Sequence, residues 1–327
     1  MRILFTSTQE APFIRDDLSY LQKNHDVTTL TTRGLRSLPA IIAGVYRAEC
    51  TFTWFVSVYA GVVVFLGWLF RRKSIVVVGG VDAACEPAYG YGIWSSKWRV
   101  VFVRYAMRHA DLLLAVTPFL REQAMKLARY DGANIHVVPT GYDPALWVSD
   151  GTPRDPVVLT IASCETVPRM QIKGIPFLID TARLMPDTRF LLVGPRQEAL
   201  AEIRRLDPPS NLSILPPMPR EALVTYYRTS SVYCQPSYYE GGLGSSLCEA
   251  MLCGCVPVGT AVGGIPDAIG GSGFLVPFGD SSALKSALQE ALTSAPGIRD
   301  QARSRIADLY TMKRREESLD NLIGRTG

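Results

Sequence analysis

The sequence predicts an α/β protein built from two doubly wound domains. Short apolar runs alternate with amphipathic stretches along the whole chain, which is the pattern of parallel βαβ units. The segment 143–156 (DPALWVSDGTPRDP) is rich in Pro, Asp and Gly and separates one such series from a second. A length of 327 residues also suits two domains better than one.

In the first series the runs at 2–6, 26–31, 51–56, 74–79, 112–116 and 135–138 read as strands. Helices are expected near 15–24, 35–48, 58–70, 96–109 and 117–129. The second series gives strands at 157–162, 189–193, 212–215, 232–235, 255–258 and 274–276. The expected organisation is therefore residues 1–145 as a first Rossmann-like domain, 146–305 as a second, and 306–327 as a terminal helix. Two such domains would face each other across a central cleft, with the chemistry on the loops after the strands.

Composition narrows the class. Hydrophobic residues make up 47% and charged residues 20%, enough to bury a large core and too apolar for disorder. A net charge of +4, with no basic run interleaved with aromatics, gives no case for nucleic acid. Seven cysteines without a CxxC pair read as reduced, mostly buried thiols of a cytoplasmic protein. The opening MRILFTSTQE turns polar too soon for a secretory signal.

Residues 51–70 (TFTWFVSVYAGVVVFLGWLF) hold no charge over 20 positions, and Arg71, Arg72 and Lys73 follow. That length would allow a membrane span. The β-rich start favours a buried strand at 51–57 followed by a helix at 58–70. A face touching the cytoplasmic side of a membrane is the third reading.

The densest candidate site is 236–269 (PSYYEGGLGSSLCEAMLCGCVPVGTAVGGIPDAI). A strand ends at Pro236-Ser237 and a Gly-rich turn with Gly241, Gly242, Leu243 and Gly244 follows. Ser245 and Ser246 then open a helix expected from about residue 247 to 253, with serine as its cap. Glycines let the backbone come close to a ligand, and exposed amides at a helix start favour an anion such as a diphosphate. The dipole contributes only about 0.3–2 kcal/mol, so cationic side chains must help. Glu249 could accept hydrogen bonds from a ribose diol, and Glu240 precedes the turn. In the first domain, Asp82 and Glu86 lie in the loop 79–92, where they could bind acceptor hydroxyls. The sequence has no Asp-x-Asp, no Walker loop and no GxGxxG, so it offers no metal–diphosphate clamp and no P-loop.

The 236–269 block resembles the donor-binding signature of the family 4 glycosyltransferases, which have the GT-B fold. A Pro-Ser, a first Glu, a Gly-rich loop, a Glu-Ala-Met, a Gly-x-Pro-Val and a Gly-Gly-x-Pro come in that order. Lys173-Gly174, the run 139–143 (PTGYD) and His25-Asp26-Val27 look like further family segments, and the tail 299–327 resembles the family's C-terminal helix, which implies that the helix at 306–327 crosses back onto the first domain. The resemblance implies that Glu249 contacts the donor ribose and Glu240 the transferred sugar. The amides of 241–246 would hold the phosphates, and Lys173 would neutralise the leaving diphosphate with Arg169 as second cation. Catalytic roles then fall to Glu240, Lys173 and Asp82, and acceptor contacts to Glu10, Asp82 and Glu86.

The chain departs from the pattern in four places. Eight residues separate the two glutamates where the family has seven. Ser163-Cys164 stand where the family's Arg usually lies. The loop 6–13 lacks a Gly-Gly. Gly79-Gly80-Val81-Asp82 lacks the family's His.

The expected reaction is a retaining, metal-independent transfer of a hexose from a nucleotide diphosphate sugar, used as co-substrate with no cofactor, to an acceptor hydroxyl. The acceptor would be a glycan or a lipid-linked molecule. The competing readings are a nucleotide-sugar epimerase of the same fold and a non-catalytic nucleotide-sugar-binding subunit.

Overall fold

A computed structural model describes residues 1–32 and 34–324. The chain divides into two compact units, residues 1–141 with 313–327, and residues 142–312.

The first unit runs β1 (Arg2–Ser7), α1 (Pro12–Asn24), β2 (Asp26–Thr31), α2 (Leu38–Arg47), β3 (Cys50–Trp54), α3 (Val58–Phe70) and β4 (Lys73–Val78). It continues with α4 (Lys97–His109), β5 (Leu112–Ala115), α5 (Pro118–Ala128) and β6 (Ile135–Val137). Its sheet has the order β2-β1-β3-β4-β5-β6, with every neighbouring pair parallel. The central strands are apolar on both faces because helices cover both sides. Ile75, Val76, Val77 and Val78 of β4 are all buried. Each such side chain contributes about 1.5–3 kcal/mol of burial.

The second unit runs β7 (Asp155–Cys164), α6 (Val167–Ile172), α7 (Ile175–Arg183), β8 (Arg189–Pro195), α8 (Gln197–Arg205), β9 (Leu212–Leu215) and α9 (Arg220–Thr229). There follow β10 (Ser230–Gln235), α10 (Ser245–Leu252), β11 (Val256–Thr260), α11 (Ile265–Ile269), β12 (Phe274–Val276), α12 (Ser281–Thr293) and α13 (Gly297–Leu309). The sheet order β12-β11-β10-β7-β8-β9 is the dinucleotide-fold order, again all parallel.

The uncharged stretch at 51–70 resolves into β3 and α3. Ser57 caps α3 by accepting from the Ala60 amide at 3.3 Å, and Arg71 ends it in the left-handed region at φ 55°. Thirteen residues make a helix of about 20 Å, too short to cross a bilayer core of about 30 Å. Among the described residues no helix is long and apolar enough to do so.

The tail differs from the single returning helix expected at 306–327. It forms α13, then a break at Tyr310–Thr311, then α14 (Met312–Gly324). The break is pinned to Tyr142, whose amide donates to Tyr310 O at 2.8 Å and whose carbonyl accepts from Met312 N at 3.1 Å. Helix α13 belongs to the second unit, and the chain rejoins the first from Lys313 onward. There Leu319 and Ile323 enter the first unit's core.

Candidate functional site

In each sheet the connections leave one pair of adjacent strands in opposite directions. Outside the carboxyl ends of such a pair, neighbouring loops part and a ligand can enter. In the second unit that pair is β7 and β10.

After β7, Thr166 caps α6 with its hydroxyl 3.4 Å from the Arg169 amide, and Lys173 closes the helix. Gly174 follows at φ +69°, and a Cβ there would lie 1.7 Å from the Pro236 carbonyl oxygen. Only glycine allows this close approach, and it explains the Lys-Gly pair in physical terms. After β10, the Tyr238 amide donates to Ile172 O at 2.9 Å, which draws the loop 236–240 onto the end of α6.

The result is an ion pair between Lys173 Nζ and Glu240 Oε2 at 2.7 Å, both side chains largely but not wholly buried. Gln235 Nε2 donates to the same Glu240 oxygen at 3.2 Å. Arg169 is exposed on α6. Burial pushes the Cys164 thiol up to about 11, with Lys173 and Arg169 opposing it, so both cations gather near the end of β7.

Gly241 to Gly244 lead into α10. Gly244, at φ +82°, is the residue before its first turn and carries no side-chain cap. This corrects the expected serine cap: Ser245 and Ser246 are the first two helical residues. The first-turn amides have no carbonyl partner within the helix. The Ser246 hydroxyl instead hydrogen-bonds Tyr227 and Tyr233.

Glu249 is buried, 4% exposed, and both of its oxygens are engaged. Oε1 accepts from Arg220 Nε at 2.9 Å, and Oε2 accepts from the Tyr227 hydroxyl at 3.0 Å. The Arg220 guanidinium lies 4.7 Å from the centre of the Trp147 ring. Tyr233 donates to Gln235 Oε1 at 3.0 Å. Burial first, then neighbouring charge, holds Tyr227 well above the usual phenol range, and burial does the same for Tyr233, so both remain donors. A continuous polar chain therefore runs from Arg220 through Glu249, Tyr227, Ser246, Tyr233, Gln235 and Glu240 to Lys173. A buried network satisfied in this way fixes its members' rotamers.

In the first unit the diverging pair is β1 and β3. A cavity of about 370 Å³ opens at their carboxyl ends. Its walls include Thr8 and Gln9 after β1, Val56 and Ser57 after β3, and Tyr91 and Arg99. The volume lies in the range of small-molecule sites.

Asp82 lines this cavity but is 1% exposed. Its carboxylate accepts from the amides of Val56 at 2.9 Å, Gly79 at 3.1 Å and Gly80 at 2.7 Å. Burial raises its pKa, and those amides oppose the shift. This corrects the catalytic and acceptor-contact roles expected of Asp82: its oxygens are spent on shaping the cavity floor. Glu10 and Glu86 do not line the cavity. Glu10 is exposed, and Glu86 is half-buried, with its backbone bridged to Tyr91. Thr8, Gln9 and Arg99 stand in their place.

Of the residues expected at the donor site, Lys173, Glu240, Glu249 and the glycine loop all lie in the second unit. Sequence reasoning missed Arg220, Tyr227, Tyr233 and Gln235. None sits in a motif; they converge only through β10, α9 and α10.

Residues 155–294 match the family model described as glycosyl transferases group 1. The chain is 28% identical to a D-inositol 3-phosphate glycosyltransferase of Mycolicibacterium smegmatis, over 91% of this chain and 75% of that protein. A Mycobacterium relative of the same name is 29% identical, and the match covers 81% of this chain and 66% of it. Among solved structures, Anabaena HepE in complex with UDP and glucose superposes with a TM-score of 0.79 at 17% identity, covering 99% of this chain and 100% of that one. The sucrose-phosphate synthase of Thermosynechococcus elongatus gives 0.77 at 18%, covering 100% and 99%. These likenesses show the GT-B fold.

Proposed function

We propose that the chain is a nucleotide-sugar-dependent glycosyltransferase, a reading that the group 1 match over residues 155–294 and the named relatives support, and that it transfers a hexose from a nucleotide diphosphate sugar to an acceptor hydroxyl with retention at the anomeric carbon. The observation that carries the reading is the Lys173–Glu240 pair at the β7/β10 switch point, in the same unit as the first turn of α10, which no side chain of its N-cap residue Gly244 caps. In this reading the diphosphate lies against the amides of that turn and Lys173. Glu249, its rotamer set by Arg220 and Tyr227, contacts the ribose. Glu240 orients the sugar.

The bond between the anomeric carbon and the diphosphate oxygen breaks, and a bond to the acceptor oxygen forms on the same face. The acceptor proton passes to the departing diphosphate. Lys173 and Arg169 neutralise the charge that builds there, so transfer proceeds without a metal ion. A preorganised cation at such a point is worth about 10²–10³ in rate. The acceptor enters the first-unit cavity. The relatives are named for D-inositol 3-phosphate, a polyol phosphate, and Arg99 supplies a cation that would suit an anionic acceptor.

The test is a thermal-shift screen with nucleoside diphosphates and their sugars, followed by product analysis in EDTA. A ligand that binds only the native state raises its melting temperature. Expected are stabilisation that vanishes in Lys173→Ala and transfer that persists in EDTA. An epimerised sugar nucleotide formed without acceptor would replace this reading with an epimerase. Tight binding without turnover would replace it with a binding subunit.

A further inference from the structure

We infer that the face formed by α3 and α4 docks onto an anionic lipid surface and brings the first-unit cavity to the headgroup layer. Trp68 is 70% exposed and Trp98 59%, and Phe65, Leu69, Val101 and Phe102 are exposed beside them. The patch is continuous. Phe65 meets Trp68 at 5.9 Å and Tyr105 at 6.4 Å, and Trp98 meets Phe102 at 6.4 Å. Gly61 of α3 lies directly against the Phe102 backbone and so joins the two helices. A monomer rarely leaves so large an apolar patch open without use.

The charges choose the occupant. Between residues 50 and 110 the chain carries seven Lys or Arg and two Asp or Glu. Both acids, Asp82 and Glu86, lie in the cavity loop, and α3 and α4 contain none. Arg71 ends α3, and Lys97 and Arg99 sit in the first turn of α4. Aromatic anchors with a basic flank are what an anionic bilayer surface attracts. A two-fold pairing with a second copy would set these basic flanks against each other. Helix α3, at about 20 Å, lies on the surface and does not span it.

Arg99 lines the cavity and is the next residue after Trp98. A docked patch therefore sets the cavity at headgroup depth. Resting on the proposed transfer reaction, this assigns a lipid-linked acceptor.

The test is co-sedimentation of the full chain with phosphatidylcholine vesicles with and without phosphatidylglycerol, in the absence of any sugar nucleotide. Binding is expected to require phosphatidylglycerol and to weaken as salt rises. The double variant Arg71→Glu/Lys97→Glu should lower partitioning at least about tenfold. Trp68→Ser/Trp98→Ser should abolish it while leaving the melting temperature unchanged. Tryptophan fluorescence should be quenched by brominated lipid in the parent and not in that second variant. Absence of vesicle binding, or binding unaffected by both variants, overturns the inference. So does a concentration-dependent dimer that the Trp68/Trp98 variant breaks, which would give the face to a second copy. The nucleotide screen, run without vesicles, judges the transfer reading separately.

Discussion

The Lys173 ammonium lies 2.7 Å from a Glu240 carboxylate oxygen and so joins the loops that leave β7 and β10. In the proposed reaction a diphosphate arriving at this point would draw Lys173 toward itself and loosen Glu240 for the sugar. Lys173→Ala should therefore abolish stabilisation by nucleoside diphosphates and lower kcat by about 10²–10³. Both side chains are largely buried, so removing the ammonium leaves Glu240 short of a partner and should also cost the variant about 1–3 kcal/mol of its own stability. Calorimetric melting and initial rates read the two effects apart. A variant that loses stability and keeps its rate would reduce the pair to a structural role.

The Glu249 carboxylate depends on Arg220 and Tyr227 for its place. Arg220→Ala leaves a buried charge short of donors and should cost about 1–3 kcal/mol. Tyr227→Phe keeps the packing and removes one hydrogen bond, about 0.5–1.5 kcal/mol. If the two act through Glu249, the effects of Tyr227→Phe and Glu249→Gln on nucleotide affinity will not add. Additive effects in that double-mutant cycle would separate Tyr227 from the donor site.

The central strands were legible because a doubly covered sheet needs uninterrupted apolar runs, as in β4 and β5, whose residues are nearly all buried; the edge strands at 26–31, 212–215 and 274–276 have the expected bounds without such burial. Helix α3 was legible in the same way, with Ser57 at its start. Lys173, Glu240 and the glycine loop were readable as a motif, since the close approach at Gly174 tolerates no other residue. Arg220 and Tyr227 were not readable. Their meeting with Glu249 is a tertiary event between α9 and α10. Asp82 misled because a carboxylate in a cleft loop looks the same in sequence whether it faces a substrate or its own backbone. The return point misled because a helix break held by backbone contacts to Tyr142 leaves no side-chain signature.

Thiol chemistry gives a direct check on burial. Six of the seven cysteines are buried, and Cys85 is the exposed one. Burial pushes the Cys50, Cys234 and Cys253 thiols up to about 12 and Cys255 up to about 11. At pH 8 those groups stay protonated and shielded, and the thiolate is the reactive form. One thiol per chain should react rapidly with a disulfide reagent in native buffer, and all seven in denaturant. Cys85→Ser should remove the fast phase. A fast phase that survives this substitution would show that another buried cysteine is reached by local opening.

Arg315 of α14 fastens the last helix to the first. Its Nε and an Nη atom each meet an Asp17 oxygen at 2.6 Å, and both side chains are almost fully buried. Trp54 Nε1 donates to the same carboxylate at 2.9 Å, and a second arm reaches Val138 O at 2.8 Å. Every strong donor and acceptor in this cluster has a partner, so removing one strands a charge in a dry interior. Arg315→Ala should destabilise the fold by about 3–5 kcal/mol, while the Arg315→Met/Asp17→Leu double variant should recover much of that loss. The recovery follows because desolvating two charges offsets most of what their attraction provides. Urea titration of the parent, single and double variants measures it. A double variant no more stable than Arg315→Ala would mean that the ion pair itself, and not the stranded charge, holds α14 in place.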